Sequence, residues 1–314
     1  MANRDARLGN DPLQWLKNGA RPDALDASDD RAPASQGLLR LVESGVAAGP
    51  PRPDLAALFA ASLQPVLVCG PAGEIRMVNA AFAALVDRND PDELRQFTER
   101  GQRSFARLRA ASFPVVAAAR GLALGGGCEL MLAAQHVVAA AELYAGFPER
   151  KVGLIPAWGG VTRTLIRSSL RGLADPAARA FALASTCVIS GSAFEAQAGG
   201  LLLPSDEIVL NASRVLERAK ASALELVGAE RRQEPATFAL HDPRLEPLDA
   251  SWADASETDR RIVGDLAAML TGAELVTEEE LLARELDVAL KLVVLPANQA
   301  RMRHMLATNK PLEN

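Results

Sequence analysis

Two glutamates set among glycines are the residues of this chain best suited to chemistry. Glu129 lies in GLALGGGCEL (121–130), after three consecutive glycines. Glu149 follows in GFPERKVGLIPAWGG (146–160), which ends in a second pair, Gly159–Gly160. A glycine inside a regular element costs up to ~1 kcal/mol relative to alanine, so three in a row need a reason. A strand that ends in glycines and opens a helix presents free backbone N–H groups at the positive end of the helix dipole. Without Cβ atoms, those donors approach a ligand oxygen closely. That suits phosphate or the negative oxygen of an enolate. The phosphate reading lacks both the Lys-Ser/Thr of a P-loop and G-x-G-x-x-G spacing. A following carboxylate repels phosphate but suits proton transfer, so an oxyanion hole beside a general acid/base is the better chemistry. On these ten residues alone, close helix–strand packing with Glu129 as a first-turn helix charge explains the pattern equally well.

The elements that must carry these residues alternate between strand and helix. PVLVCG (65–70), FPVVAAARG (113–121) and HVVAAA (136–141) have the apolar texture of buried strands. The segment 90–111 has apolar spacing near 3.6 and opens with Asp90 and Pro91, a helix-start signal. Upstream, GLLRLVESGVAAG (37–49) reads as a strand pair and PDLAALFAASL (53–63) as a short helix. The alternation predicts an α/β fold. Residues 1–36 read as a flexible tail, 37–227 as the core and 228–256 as a linker. Residues 257–314 read as a helical C-terminal extension, where Thr277 and Glu280 form a capping box and Pro296 ends or kinks a helix.

Composition narrows the classes. The 314 residues carry 34 basic and 39 acidic side chains, a net charge of −5. That balance gives neither a nucleic-acid footprint nor a polybasic membrane patch. Cys69, Cys128 and Cys187 are widely separated and odd in number, which fits a reduced compartment. No apolar run reaches the ~18 residues of a membrane span, and the N-terminus lacks a secretory apolar core. The expectation is a cytoplasmic protein with no membrane span. His136 reads as a satisfied strand-start residue, and His241 and His304 are too isolated in sequence to imply a metal site.

The run FPVVAAARGLALGGGCEL, followed by GFPERKVGLIPAWGGVTR, resembles the crotonase (enoyl-CoA hydratase/isomerase) superfamily. The likeness continues through ISGSAFEAQAGGLLLPSDEIV (189–209). The segment from Leu202 through ERAKASALEL (202–226) and the terminal ARMRHMLATNKPLEN are similar to the C-terminal half of bacterial chains that join a 3-hydroxyacyl-CoA dehydrogenase to a hydratase. The resemblance implies a crotonase-type spiral of strand–strand–helix (ββα) turns with a helical C-terminal extension. It also implies that the backbone N–H groups of Gly126 and Ala80 form the oxyanion hole. Glu129 would be the water-activating base and Glu149 the acid, with Gly125 and Gly159 at the substrate; Trp158 either lines the acyl pocket with them or serves only in packing. Around Ala80 the chain departs from the family pattern, with Asn79 for the usual glycine and Ala81 for the usual acid or amide.

The implied substrate is an acyl-CoA, so coenzyme A enters as part of the substrate. NAD is not expected, because no G-x-G-x-x-G follows a strand. Hydration of an enoyl-CoA is the leading reading. Isomerisation or thioester hydrolysis is the second, and a non-catalytic or weakly active subunit the third. Expected partners are further copies of the chain or a separate dehydrogenase subunit.

Overall fold

The alternation of apolar runs and helix starts becomes, in the computed structural model, two parallel sheets fed by successive turns of chain. Residues 67–69, 75–78, 85, 87–229, 234–241, 252, 255–272, 274–308 and 310–314 are described. They fall in one unit, Ala61–Asn314. The expected tail (1–36), strand pair (37–49) and helix (53–63), together with Ala80 and most of the 228–256 linker, lie outside the described residues.

An antiparallel pair, β1 (Leu67–Cys69) and β2 (Ile75–Val78), precedes α1 (Pro91–Arg109). The signal read from Asp90 is a true cap: its Oδ1 accepts from the N–H groups of Asp92 (2.9 Å) and Glu93 (3.2 Å). Pro91 supplies the first helical residue, where no N–H is needed.

The first spiral turn is β3 (Val116–Ala119), β4 (Leu122–Leu124) and α2 (Gly126–Ala133). The second is β5 (His136–Ala140), β6 (Tyr144–Gly146), a 3-10 turn (Glu149–Val152) and α3 (Gly160–Leu170). β3 pairs in parallel with β5, Val116 opposite His136, while β4 pairs in parallel with β6, Leu122 opposite Tyr144. Each ββα turn therefore adds one strand to each sheet. β5 is the middle strand of its sheet, between β3 and β7 (Glu207–Val209). It is buried along most of its length, which is why HVVAA reads as a continuous apolar run rather than an alternating one.

Helices α4 (Pro176–Ser185), α5 (Ala193–Gly199) and α6 (Val215–Glu225) follow the spiral. The short strands β8 (Phe238–Ala239) and β9 (Leu275–Val276) pair across helix α7 (Glu257–Met269). The last helices are α8 (Glu278–Val293) and α9 (Pro296–Thr308), so Pro296 opens a new helix after a break. The expected Thr277–Glu280 capping box is present at the start of α8. Ile262 and Leu266 of α7 and Leu281 and Leu292 of α8 share one core with Leu165 and Ile166 of α3 and Phe181 of α4. Burying each such side chain contributes roughly 1.5–3 kcal/mol. The helical C-terminal region is thus continuous with the core of the spiral. Among the described residues, no helix is long and apolar enough to cross a membrane.

One buried carboxylate ties the spiral to its helices. Asp206 accepts from the N–H groups of Val137 (3.0 Å) and Leu203 (2.6 Å) and pairs with the guanidinium of Arg167. His136 begins β5 with Nδ1 3.6 Å from Asp206 Oδ1, at the strand start as read from the sequence. Asp206 and Arg167 are both buried, so removing one strands the charge of the other. Asp206→Ala is expected to cost about 3–5 kcal/mol of stability, measured by urea denaturation. A loss below about 1 kcal/mol would mean that the pair does not anchor β5 to α3.

Candidate active site

The glycines that follow β4 make room for carboxylates. Gly125 adopts φ +53° and ψ −126°, a conformation that strains any residue with a side chain. Its N–H donates to Gly146 O (3.0 Å), tying the end of β4 to the end of β6. That tie places α2, which carries Glu129, beside the 3-10 turn that begins at Glu149. A Cβ on Gly125 would stand 3.0 Å from Glu149 Oε1. One on Gly126 would stand 3.2 Å from the Trp158 ring and 3.9 Å from Glu129 Oε2. Gly127 is different: a Cβ there meets nothing within 4 Å. Gly125 is therefore favoured by its backbone conformation and by Glu149, and Gly126 by the closeness of the Trp158 ring. As the first residue of α2, Gly126 has an N–H with no partner inside its own helix.

Glu129 is buried, and its Oε1 accepts from the N–H groups of Trp158 (2.7 Å) and Gly160 (2.9 Å). Gly160 must lack a side chain, since its Cβ would fall 2.8 Å from that same oxygen and 2.6 Å from Pro156 Cβ. Glu149 is half-buried as a residue, but its Oε2 is fully buried and has no hydrogen-bond partner among the described residues. Its 3-10 turn is gripped from the C-terminal helices. Arg150 pairs with Asp259 of α7 (2.6 Å), Arg301 of α9 donates to Arg150 O (3.1 Å), and Asn298 Nδ2 donates to Gly153 O (2.7 Å).

A third carboxylate, Glu285 of α8, completes the cluster. Its Oε1 accepts from Gly159 N–H (2.6 Å), and its Oε2 from the N–H (2.9 Å) and hydroxyl (2.8 Å) of Thr162. The sequence reading missed this residue. The available signal was its place in the buried stripe of α8, one helical turn from Leu281 and one from Ala289.

Three buried carboxylates cannot all ionise freely. Burial raises Glu129 above the usual carboxylate range, and the charges of Glu149 and Glu285 push it further; the Trp158 and Gly160 N–H groups pull the other way. Burial lifts Glu149 to about 8, with the charge of Glu285 adding to the effect. Burial lifts Glu285 to about 7 against the opposing donors from Thr162 and Gly159. The hydrogen-bond donors differ: Glu129 and Glu285 hold N–H groups from the start of α3 that favour a carboxylate, whereas Glu149 has only its own backbone N–H, and the three titrate together.

The other expected residues are placed as follows. Trp158 is half-buried and packs edge-on against Phe97 (5.4 Å) and Phe105 (5.6 Å) of α1. A Cβ on Gly101 of α1 would lie 2.2 Å from its indole nitrogen. Gly159, at φ +104°, gives its N–H to Glu285, so that donor is already engaged. Ala80 is outside the described residues. The cleft between Gln102, Phe105, Trp158 and Glu129 has a volume of about 10 Å³, roughly one water molecule. Burial and the neighbouring Glu149 and Glu129 charges raise the Cys128 thiol well above its ordinary value, which leaves it a packing residue. His241 is held by Asp175, with Nδ1 2.5 Å from Oδ2.

Residues 80–222 match the enoyl-CoA hydratase/isomerase family model, so the crotonase resemblance is shown for that stretch. Glu129 and Glu149 lie inside it and Glu285 outside. The chain is 33% identical over 268 residues to a probable 3-hydroxyacyl-CoA dehydrogenase of Bacillus subtilis, covering 79% of this chain and 34% of that one. Over 76 residues it is 45% identical to a putative fatty acid oxidation complex trifunctional enzyme of Rickettsia felis, covering 24% of this chain and 11% of that one. The chain thus spans about a third of the Bacillus relative's length and about a tenth of the Rickettsia one. Among solved structures, a carnitinyl-CoA dehydratase from Mycobacterium avium is 38% identical over 38% of this chain and 41% of that one, with a TM-score of 0.31.

The Glu149 assignment has a measurable consequence. Its folded value near 8 lies above the ordinary 4.5, so between those limits the unfolded chain releases a proton that the folded chain keeps. Its contribution to stability is full below about pH 4.5 and is lost as pH rises through about 8. Glu149→Gln removes this term. The melting temperature of the wild type should therefore fall relative to that of the variant across this window. Parallel curves of melting temperature against pH would show that Glu149 is ionised in the folded chain.

Proposed function

We propose that the chain is an enoyl-CoA hydratase-like lyase that adds water to a trans-2-enoyl-CoA in fatty-acid or related acyl-CoA degradation. One observation carries the reading. Beside a helix start whose first N–H has no partner inside its own helix, one buried glutamate has the donors that stabilise a carboxylate, and a second has a buried oxygen with no partner among the described residues. That is a base and an acid set side by side.

The steps follow from these positions. Glu129, as carboxylate, takes a proton from a water molecule, and the water oxygen bonds to the β-carbon of the enoyl thioester. Electrons move onto the thioester oxygen, giving an enolate. The Gly126 N–H stabilises that oxygen, and the family resemblance alone assigns a second donor to Ala80; one such donor is worth roughly 10²–10³ in rate. Glu149 then delivers its proton to the α-carbon, and each proton transfer contributes roughly 10²–10⁴. Gly125, Trp158 and Gly159 border the substrate space. No redox step is involved, so NAD has no role; coenzyme A arrives on the substrate. The proposed setting is cytoplasmic, as a homo-oligomer or beside a dehydrogenase subunit.

A second reading, a weakly active crotonase-fold subunit serving a separate 3-hydroxyacyl-CoA dehydrogenase chain, draws on the tightness of the cleft beside Glu129. Loss of the conjugated thioester absorbance of short and long trans-2-enoyl-CoA substrates distinguishes the two. Glu129→Gln and Glu149→Gln should each lower kcat by roughly 10²–10⁴ with little change in ligand affinity. Wild-type kcat should fall as pH rises through about 8, where Glu149 loses the proton it must donate. The purified chain should not reduce NAD with a 3-hydroxyacyl-CoA. Wild-type turnover no faster than that of Glu129→Gln on every substrate would sink the hydratase reading.

A further inference from the structure

We propose that Glu285 is a positioning residue for the Glu129 base: it holds the turn at the start of α3 so that the Trp158 and Gly160 N–H groups converge on Glu129 Oε1. This rests on the hydratase reading given above. Glu285 is not among the residues that line the cleft beside Glu129, and it acts through its neighbours, Gly159 first among them.

The geometry is one of alternation along five residues. The N–H groups of Trp158 and Gly160 go to Glu129, at 2.7 and 2.9 Å. Those of Gly159 and Thr162, with the Thr162 hydroxyl, go to Glu285, at 2.6, 2.9 and 2.8 Å. Gly159 sits at φ +104°, so the turn has no side chain at that point to hold it in place. α3 has no side-chain cap of its own. An N-terminal turn without a cap has orphan donors and frays. Glu285, arriving from more than a hundred residues downstream, is the cap that α3 lacks. Because the donors alternate, fixing Gly159 and Thr162 fixes the two donors between and beside them. Glu285 is fully buried, so its grip is not diluted by solvent. Its charge also lies close enough to raise the proton affinity of both Glu129 and Glu149.

The test compares Glu285→Gln with wild type in steady-state hydration of a short trans-2-enoyl-CoA, alone and in a Glu129→Gln background. Gln keeps the shape but turns an amide N–H₂ toward donors and removes the charge. In the wild-type background kcat should drop roughly 10–100-fold with KM within about twofold. In the Glu129→Gln background the same change should leave the residual rate unaltered, because the group it positions is gone. Equal losses in both backgrounds would mark Glu285 as merely structural and overturn the inference, as would an unchanged kcat. Melting temperature is read alongside. Should Glu285→Gln not fold, Thr162→Val decides: it removes one hydrogen bond to Glu285 and keeps the backbone. A several-fold fall in kcat at unchanged KM and melting temperature supports the inference, and an unchanged kcat overturns it. Wild-type chain without hydratase activity removes both this inference and the reading beneath it. Active wild type with an unaffected Glu285→Gln variant removes this inference alone.

Discussion

The N-terminus of α3 is the constraint on which the site depends. An α-helix leaves its first N–H groups without partners, and their dipoles add up to a partial positive charge. Here those donors are inside the protein, where leaving them unpaired would cost about 1–3 kcal/mol each. Ser, Thr, Asp or Asn at the cap position would satisfy them locally, but the cap is Gly159. Two carboxylates brought from other helices, Glu129 and Glu285, take the donors instead. A local deficiency of α3 thus becomes a reason for α2 and α8 to meet it.

Glycine appears wherever this meeting is tight. Gly160 leaves room for the Glu129 carboxylate, Gly125 for that of Glu149, and Gly101 for the Trp158 indole. The resulting cluster is costly to fold, because a carboxylate moved out of water is stable only when hydrogen-bonded or protonated. Glu129 and Glu285 meet the first condition with donors from the start of α3, whereas burial pushes Glu149 toward its protonated form. The proposed acid and base roles draw on that difference in donors.

The C-terminal helices hold the other half of the arrangement. Asp259 of α7 receives both Arg150 and Arg301, and Arg301 also reaches the terminal Asn314 (2.8 Å). These contacts fix the 3-10 turn of Glu149, while α8 fixes the turn that binds Glu129. A Cβ on Gly153 would lie 2.8 Å from Asn298 Cα, so backbone and helix are in direct contact there. Helices that look like an addition to the spiral therefore hold the turns that carry the candidate site.

Local features were legible in the sequence because their causes are local. The Asp90–Pro91 helix start, the Thr277–Glu280 box, the apolar strands and the break at Pro296 each depend on residues within a few positions of one another. Glu129 and Glu149 were named together because the crotonase resemblance carries both motifs; their acid and base roles belong to the proposed function. Glu285 was not named. The run ELLARELDVALKLV announces a helix and places a charge on its apolar stripe, yet nothing nearby says what that charge meets. Its partners, Gly159 and Thr162, lie more than a hundred residues upstream, and only the shared core of α3, α7 and α8 brings them within hydrogen-bond range. Likewise, the sequence named Trp158 and Gly159 as neighbours of the site but not their commitments, one packed against α1 and one bound to Glu285. Chain order specified the elements and their local signals; tertiary packing decided which donors each carboxylate receives.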